Sequence, residues 1–242
     1  MSTLEGQIAV ITGGGSGVGA ALGLALARGR ARLHLIGRRL EKLESIAAKA
    51  RSYGSPTSCY SADLSTSSGQ SELIKLLVGK LRDVDILIHS AGVYLANPIE
   101  QASLFDLDTQ YHTNVRAPYA LTQALVPLLK RRHGQVVFIN SSSGVVAKPA
   151  SSQYDSTKYA LRAIADSLRA ELNPHGVRIL SVFLGRTASE MQEKIYKQDE
   201  RPYRPELLLQ PEDVASVILN ALSLPGTAEV TDIHIRPMIK SI

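Results

Sequence analysis

Ile8-Ala9-Val10-Ile11-Thr12-Gly13-Gly14-Gly15-Ser16-Gly17-Val18-Gly19 is the stretch on which the fold turns. Four aliphatic residues without polar alternation read as a strand buried on both faces. A glycine-rich turn follows, and then an apolar run that reads as a helix over about Gly17 to Arg28. In this strand, turn and helix context, glycines let the backbone turn tightly and approach a pyrophosphate. The helix N-terminus adds unpaired N–H groups and partial positive charge. Gly13, Gly15, Ser16, Gly17, Val18 and Gly19 are therefore expected to contact a dinucleotide, against the plainer alternative of a glycine turn that holds nothing.

Working outward, the same alternation repeats. Arg32 to Ile36, Val84 to Ile88, Val136 to Ile139 and Arg178 to Phe183 are further aliphatic runs, and Thr57 to Ser61 and Asp232 to Ile235 are weaker ones, which makes seven strands. Helical stretches lie between them at about 39–52, 67–81, 103–131, 153–172 and 211–222. In the last of these, Pro211 suits the first helical position, Glu212 and Asp213 suit the positive end, and Val214, Val217, Ile218, Ala221 and Leu222 form one apolar stripe. Strict alternation of strand and helix predicts an α/β fold: a Rossmann-like, doubly wound, parallel seven-stranded sheet with helices on both faces. A chain of 242 residues fits a single dinucleotide-binding catalytic domain over 1–242. The stretch at about 184–205 breaks the pattern: it is polar, ends with Pro202 and Pro205, and holds one short amphipathic turn, Met191 to Tyr196. It follows a strand end, where open α/β sheets bind ligands, and is expected to act as a substrate lid.

Composition excludes several classes. Hydrophobic residues at 44% and charged residues at 20% suit a globular chain rather than disorder. The one cysteine, Cys59, makes neither an internal disulfide nor a CxxC site, no metal-ligand spacing occurs, and no leader or membrane span is evident, so a cytoplasmic protein without membrane contact is expected. The net charge of +5 is dispersed. Its densest cluster, Lys130-Arg131-Arg132, sits where a helix should end and its dipole welcomes cations, so no nucleic-acid partner is expected.

After the second strand comes Gly37-Arg38-Arg39, with no carboxylate before Glu41. An acidic residue here would hold the ribose 2′-hydroxyl of NAD, whereas arginine accommodates the 2′-phosphate of NADP. NADP(H) is thus the expected cofactor, with NAD(H) as the alternative. Asp63 and Leu64 end the third strand; Asp63 either meets the adenine or caps the next helix.

Tyr154 and Lys158 lie four apart at the start of a helix and share a face. An ammonium nearby stabilises a phenolate and makes tyrosine a usable acid or base. Together with Thr12 to Gly19, Asp63, His89-Ser90-Ala91-Gly92, Asn114 and Ser141, this pair gives the chain a resemblance to the short-chain dehydrogenase/reductase family along essentially its whole length. The resemblance implies a catalytic tetrad of Asn114, Ser141, Tyr154 and Lys158, with Ser142 as an alternative to Ser141. It implies that Tyr154 exchanges a proton with a carbonyl or alcohol substrate, Ser141 steadies the oxygen, Lys158 holds the nicotinamide ribose, and Asn114 positions a relay water. Ala91 and Gly92 would lie by the adenosine ribose, and Gly185 and Thr187 or Ser189 by the carboxamide or pyrophosphate. The chain departs from the family pattern at His89, read as a hydrogen-bonded core histidine, at Leu184, and in its ending Arg236 to Lys240. The substrate wall is expected at Val93, Tyr94 and Leu95, at Gly144 to Lys148, and at Met191, Ile195 and Tyr196. Helices 103–131 and 153–172 are the implied faces of a homodimer or homotetramer. A non-catalytic dinucleotide sensor is the rival reading.

Overall fold

The computed structural model describes residues 4–239; Met1 to Thr3 and the last residues of the tail, Lys240 among them, lie outside the described residues. Seven strands, β1 (Ile8–Thr12), β2 (Arg32–Gly37), β3 (Thr57–Ser61), β4 (Ile86–His89), β5 (Gln135–Ser141), β6 (Arg178–Leu184) and β7 (Asp232–Ile235), form one sheet in the order β3-β2-β1-β4-β5-β6-β7. Every pairing is parallel. The helices are α1 (Gly17–Arg28), α2 (Leu40–Ser52), α3 (Ser67–Lys80), α4 (Leu104–Tyr111), α5 (Ala117–Arg132), α6 (Ser152–Leu172), α7 (Glu190–Gln198) and α8 (Pro211–Leu222).

The absence of polar alternation in the strands has its cause in the layers. Ile11, Leu33, Leu35, Ile86, Ile88 and Val182 pack on one face with Leu22, Leu26, Leu43 and Ile218 of α1, α2 and α8. Val10, Ile36, Leu87, Val136, Phe138 and Ile179 pack on the other with Leu77, Leu121, Leu125 and Leu161 of α3, α5 and α6. Both faces are dry in the middle of the sheet, so its central strands are mostly apolar, whereas the edge strands β3 and β7 are partly exposed and polar.

Two elements differ from expectation. The stretch expected as one helix over 103–131 is α4 and α5 joined by a π turn at His112–Arg116, and Asn114 lies within that turn. The polar stretch at 184–205 contains a nine-residue helix, α7, where only a short turn is expected. Ser189 begins it, its Oγ accepting from the Gln192 amide at 3.2 Å, and Glu190 and Glu193 favour its positive end. The basic cluster at the end of α5 is partly paired, Arg132 with Asp85 at 2.9 Å and Arg131 with Asp83 at 3.3 Å. No described helix is long and apolar enough to cross a membrane.

The strand order reverses between β1 and β4, and the crevice beyond their carboxyl ends is where an open sheet of this kind receives a ligand. Thr12, the last residue of β1, ties the two sides together. Its Oγ1 accepts from the amides of Ser90 and Ala91 at 3.1 and 3.2 Å.

Candidate active site

A cavity of about 460 Å³ opens along those strand ends. One end is lined by Gly15, Ser16, Arg38, Arg39, Lys42, Asp63 and Leu64, and the other by Ser141, Tyr154 and Lys158. Of the expected cofactor contacts, Gly13, Gly17, Val18, Ala91, Gly92, Gly185 and Thr187 also line it.

Gly19 does not line the cavity, and its reason for being glycine is packing: a Cβ there would collide with the Gly13 carbonyl. Gly13 is constrained twice, by φ of +69° and by the Ala91 amide, 2.8 Å from where a Cβ would stand. Ser16 begins α1 without a side-chain cap, so the first amides of that helix have no side chain competing with an anion. An anion-accepting helix end, a backbone cradle too narrow for side chains, and a basic far end together fit a phosphorylated dinucleotide. Asp63 does not cap α3; Thr66 does, accepting from the Gly69 amide at 3.1 Å. Asp63 Oδ1 instead accepts from the amide and hydroxyl of Ser65, which hold its carboxyl below the usual carboxylate range.

At the other end, α6 carries Tyr154 and Lys158 on one face, with the Lys158 ammonium 5.6 Å from the centre of the tyrosine ring. Lys158 is buried, donates to the Ile139 carbonyl at 3.2 Å, and is pulled down to about 8 by burial. Tyr154 is pushed up by burial, and the hydrogen bond with Ser141 opposes the shift. The expectation that Lys158 lowers the phenol is not met, because burial dominates the shift and Lys158 is not among its causes, and the tyrosine rests as a neutral proton donor. Ser141, rather than Ser142, is the serine whose hydroxyl acts on the phenol, opposing that rise. Asn140, which sequence reasoning missed, braces the pair: its Oδ1 accepts from the Ser141 amide at 2.8 Å and its Nδ2 donates to the Lys158 carbonyl at 3.2 Å.

Asn114 stands apart from the cavity lining. Its Oδ1 accepts from the Val93 amide at 2.9 Å, and its Nδ2 donates to the Val93 carbonyl at 2.9 Å and to Thr157 Oγ1 at 3.1 Å. The side chain therefore clamps the loop after β4 to α6 beside Tyr154. His89 is a core residue, 2% exposed and stacked on Phe138 with ring centres 5.0 Å apart. Thr122 gives its only hydroxyl proton to the Pro118 carbonyl at 2.8 Å, so the 2.8 Å bond from His89 Nε2 must carry the histidine's proton. Nδ1 is then bare and has no partner among the described residues.

The substrate wall is part expected and part not. Val93, Tyr94, Lys148, Met191 and Ile195 line the cavity. Leu95 does not, because its amide and carbonyl are both held by Gln110, nor does Tyr196, which is buried and packed edge-on against Tyr203. Gly144 to Ala147 also fall outside the lining. Tyr94 meets the Tyr154 ring edge-on at 4.8 Å. Among the described residues no group of three or more His, Cys, Asp or Glu side chains is placed to hold a metal ion.

Residues 7–200 match the family model described as short chain dehydrogenase. The chain belongs to the short-chain dehydrogenase family. This short-chain dehydrogenase is an oxidoreductase, as are its relatives: an uncharacterized oxidoreductase of Staphylococcus aureus is 30% identical over 239 residues, covering 98% of this chain and all of that one. Among solved structures it is similar to an alcohol dehydrogenase from the archaeon Thermococcus sibiricus complexed with 5-hydroxy-NADP, with a TM-score of 0.87 and 26% identity over 98% of this chain and 99% of that one. A metagenomic short-chain oxidoreductase in complex with NADP aligns with a TM-score of 0.84 and 25% identity over 99% of this chain and all of that one.

Proposed function

We propose that this short-chain dehydrogenase is an NADP(H)-dependent reductase that interconverts a carbonyl and an alcohol on a small molecule. The observation that carries the reading is one continuous cavity with Tyr154, Ser141 and Lys158 at one end and Arg38, Arg39 and Lys42 at the other. The β2–α2 turn contributes two arginines and no carboxylate, which favours a 2′-phosphate. The NADP and 5-hydroxy-NADP held by the two structural relatives support the same cofactor class.

The nicotinamide, when bound, supplies or takes the hydride. The rest falls to the chain. Tyr154 gives its phenolic proton to the carbonyl oxygen as that oxygen gains charge, and takes it back in the oxidative direction. Ser141, which lines the cavity with Tyr154, donates to the same oxygen. Lys158 supplies positive charge beside the phenol, and Asn114 fixes Val93 and α6 relative to each other. The 184–205 stretch acts as a lid whose Met191 and Ile195, with Tyr94, shed water from the substrate end. Leu104 and Phe105, three-quarters exposed at the start of α4, support self-association of the chain.

NADPH oxidation followed at 340 nm across a panel of ketones, aldehydes and diketones tests this reading. Tyr154→Phe is expected to lower turnover by about 10²–10⁴-fold while calorimetry shows NADPH still bound. Unchanged turnover in that variant sinks the proposed role. Bound NADPH with no turnover of any carbonyl by the wild type favours the sensing protein instead.

A further inference from the structure

The basic end of the cavity already holds an anion, and it comes from the far side of the crevice. Arg39 Nη2 donates to Glu190 Oε2 at 2.7 Å, and the Lys42 ammonium donates to Glu190 Oε1. Glu190 is the first residue of α7, about 150 positions along the chain from either cation. The contact spans the glycine loop. A Cβ built on Gly15 would stand 3.3 Å from the Lys42 Cβ, and one built on Gly17 would stand 3.6 Å from the Ser189 Cβ. Glu190 is therefore a strap from the lid to the adenosine end of the groove. The third cation, Arg38, lines the same cavity and makes no ion pair among the described residues.

We propose that Glu190 sets cofactor specificity by competing with the 2′-phosphate for Arg39 and Lys42. The inference rests on the NADP(H) reading above and deepens it. A carboxylate and a phosphate ask the same thing of a guanidinium and an ammonium, namely charge-assisted hydrogen bonds. Both anions at one pair would repel, so a cofactor bearing the 2′-phosphate must displace Glu190 or leave its phosphate to Arg38 alone. A cofactor bearing a 2′-hydroxyl imposes no such exchange and leaves the strap closed. The burial of Glu190 is slight and its two partners hold it well into the ionised form, at about 2, so the competitor keeps its charge across the working pH range. Because Met191, Gln192 and Ile195 of the same helix line the substrate end, displacing Glu190 also loosens the lid over the reacting groups.

Binding, not turnover, tests this. Calorimetry on the purified wild type, Glu190→Gln and Glu193→Gln would use NADPH, NADH, adenosine 2′,5′-bisphosphate and AMP. Glu193 is an exposed acid in the same first turn with no bond to Arg39 or Lys42, and it controls for the charge of α7. Glu190→Gln is expected to tighten NADPH and the bisphosphate by roughly three- to tenfold, the worth of two exposed ion pairs. NADH and AMP should change by less than about twofold, and Glu193→Gln should change none of the four. Hydrogen exchange at 190–198 should speed up when the bisphosphate binds the wild type and not when AMP does. Equal tightening of all four probes, or no change in NADPH, overturns the role of Glu190 while leaving the cofactor reading intact. A wild type that binds NADH as well as NADPH overturns the cofactor reading, and the competition falls with it if Glu190→Gln leaves NADPH no tighter relative to NADH.

Discussion

Lys158 shows what one buried cation costs and how that cost can be measured. Folding lowers its pKa from 10.5 to about 8. The folded state thus binds this proton less well than the unfolded state, so stability is full above pH 10.5 and is lost as pH falls toward 8. Lys158→Met should therefore stabilise the protein at pH 7, by at most about 3 kcal/mol, and the gain over the wild type should vanish near pH 10.5 in urea unfolding. His89 follows the same logic at acid pH. Its ring, bare at Nδ1 and sealed against Phe138, titrates only at about 3 in the fold against 6.5 when free. Stability should fall as pH drops below 6.5, by up to about 2–3 kcal/mol at pH 4.5. His34, lowered to about 4 by burial and then by Arg32 and Lys80, adds to the loss. His89→Asn, which does not titrate, should flatten that slope in urea melts at pH 7 and 4.5 without abolishing it. Helical spacing places Tyr154 and Lys158 on one face, but it is the family resemblance that nominates them, with Ser141, as catalytic. Spacing could not reveal that Glu190 reaches Arg39, since nothing near either residue encodes a contact made by the chain crossing over its own glycine loop.

The π turn at His112–Arg116 is the element whose shape matters most to the site. It interrupts a helix that would otherwise run on through α5, and π turns often mark functional positions. Here the turn carries Asn114, whose three hydrogen bonds lock Val93 and Thr157 in place. Asn114→Ala leaves the Val93 amide and carbonyl without their partner and should destabilise the protein by about 2–4 kcal/mol, read by urea unfolding. It should also lower turnover more than NADPH affinity. No residue type in 103–131 announces the turn, which is why apolar periodicity reads through it as one helix. The helix α7 is different, because its signal was present. Ser189 and Gln192 have the spacing of a capping box, and Glu190 and Glu193 suit the first turn, but late prolines and low hydrophobicity hid a helix whose burial is small. Helix α2 begins at Leu40 rather than Arg39 because Arg39 keeps an extended backbone, φ −99° and ψ 100°, as its N-cap.

The sheet is the most legible part of the sequence, because its central strands, dry between two helical layers, leave no room for polar alternation. Its seven-strand count and its helical crossovers follow from that pattern, while the 4-residue β7, with half its residues exposed, was faint for the same reason. The reversal of strand order between β1 and β4 has a consequence for the chain as it is made. Synthesis delivers β1, β2 and β3 first, and these can pair at once, but one edge of β1 stays unpaired until Ile86–His89 emerges, some 75 residues later. That edge carries Ala9, Val10 and Ile11, all fully buried in the finished protein. The half-made polypeptide is therefore a sticky-edged sheet, open to pairing with its neighbours on crowded ribosomes; β4 covers the edge of β1 and sets the crevice, and the open edge passes outward to β4 until β5 follows.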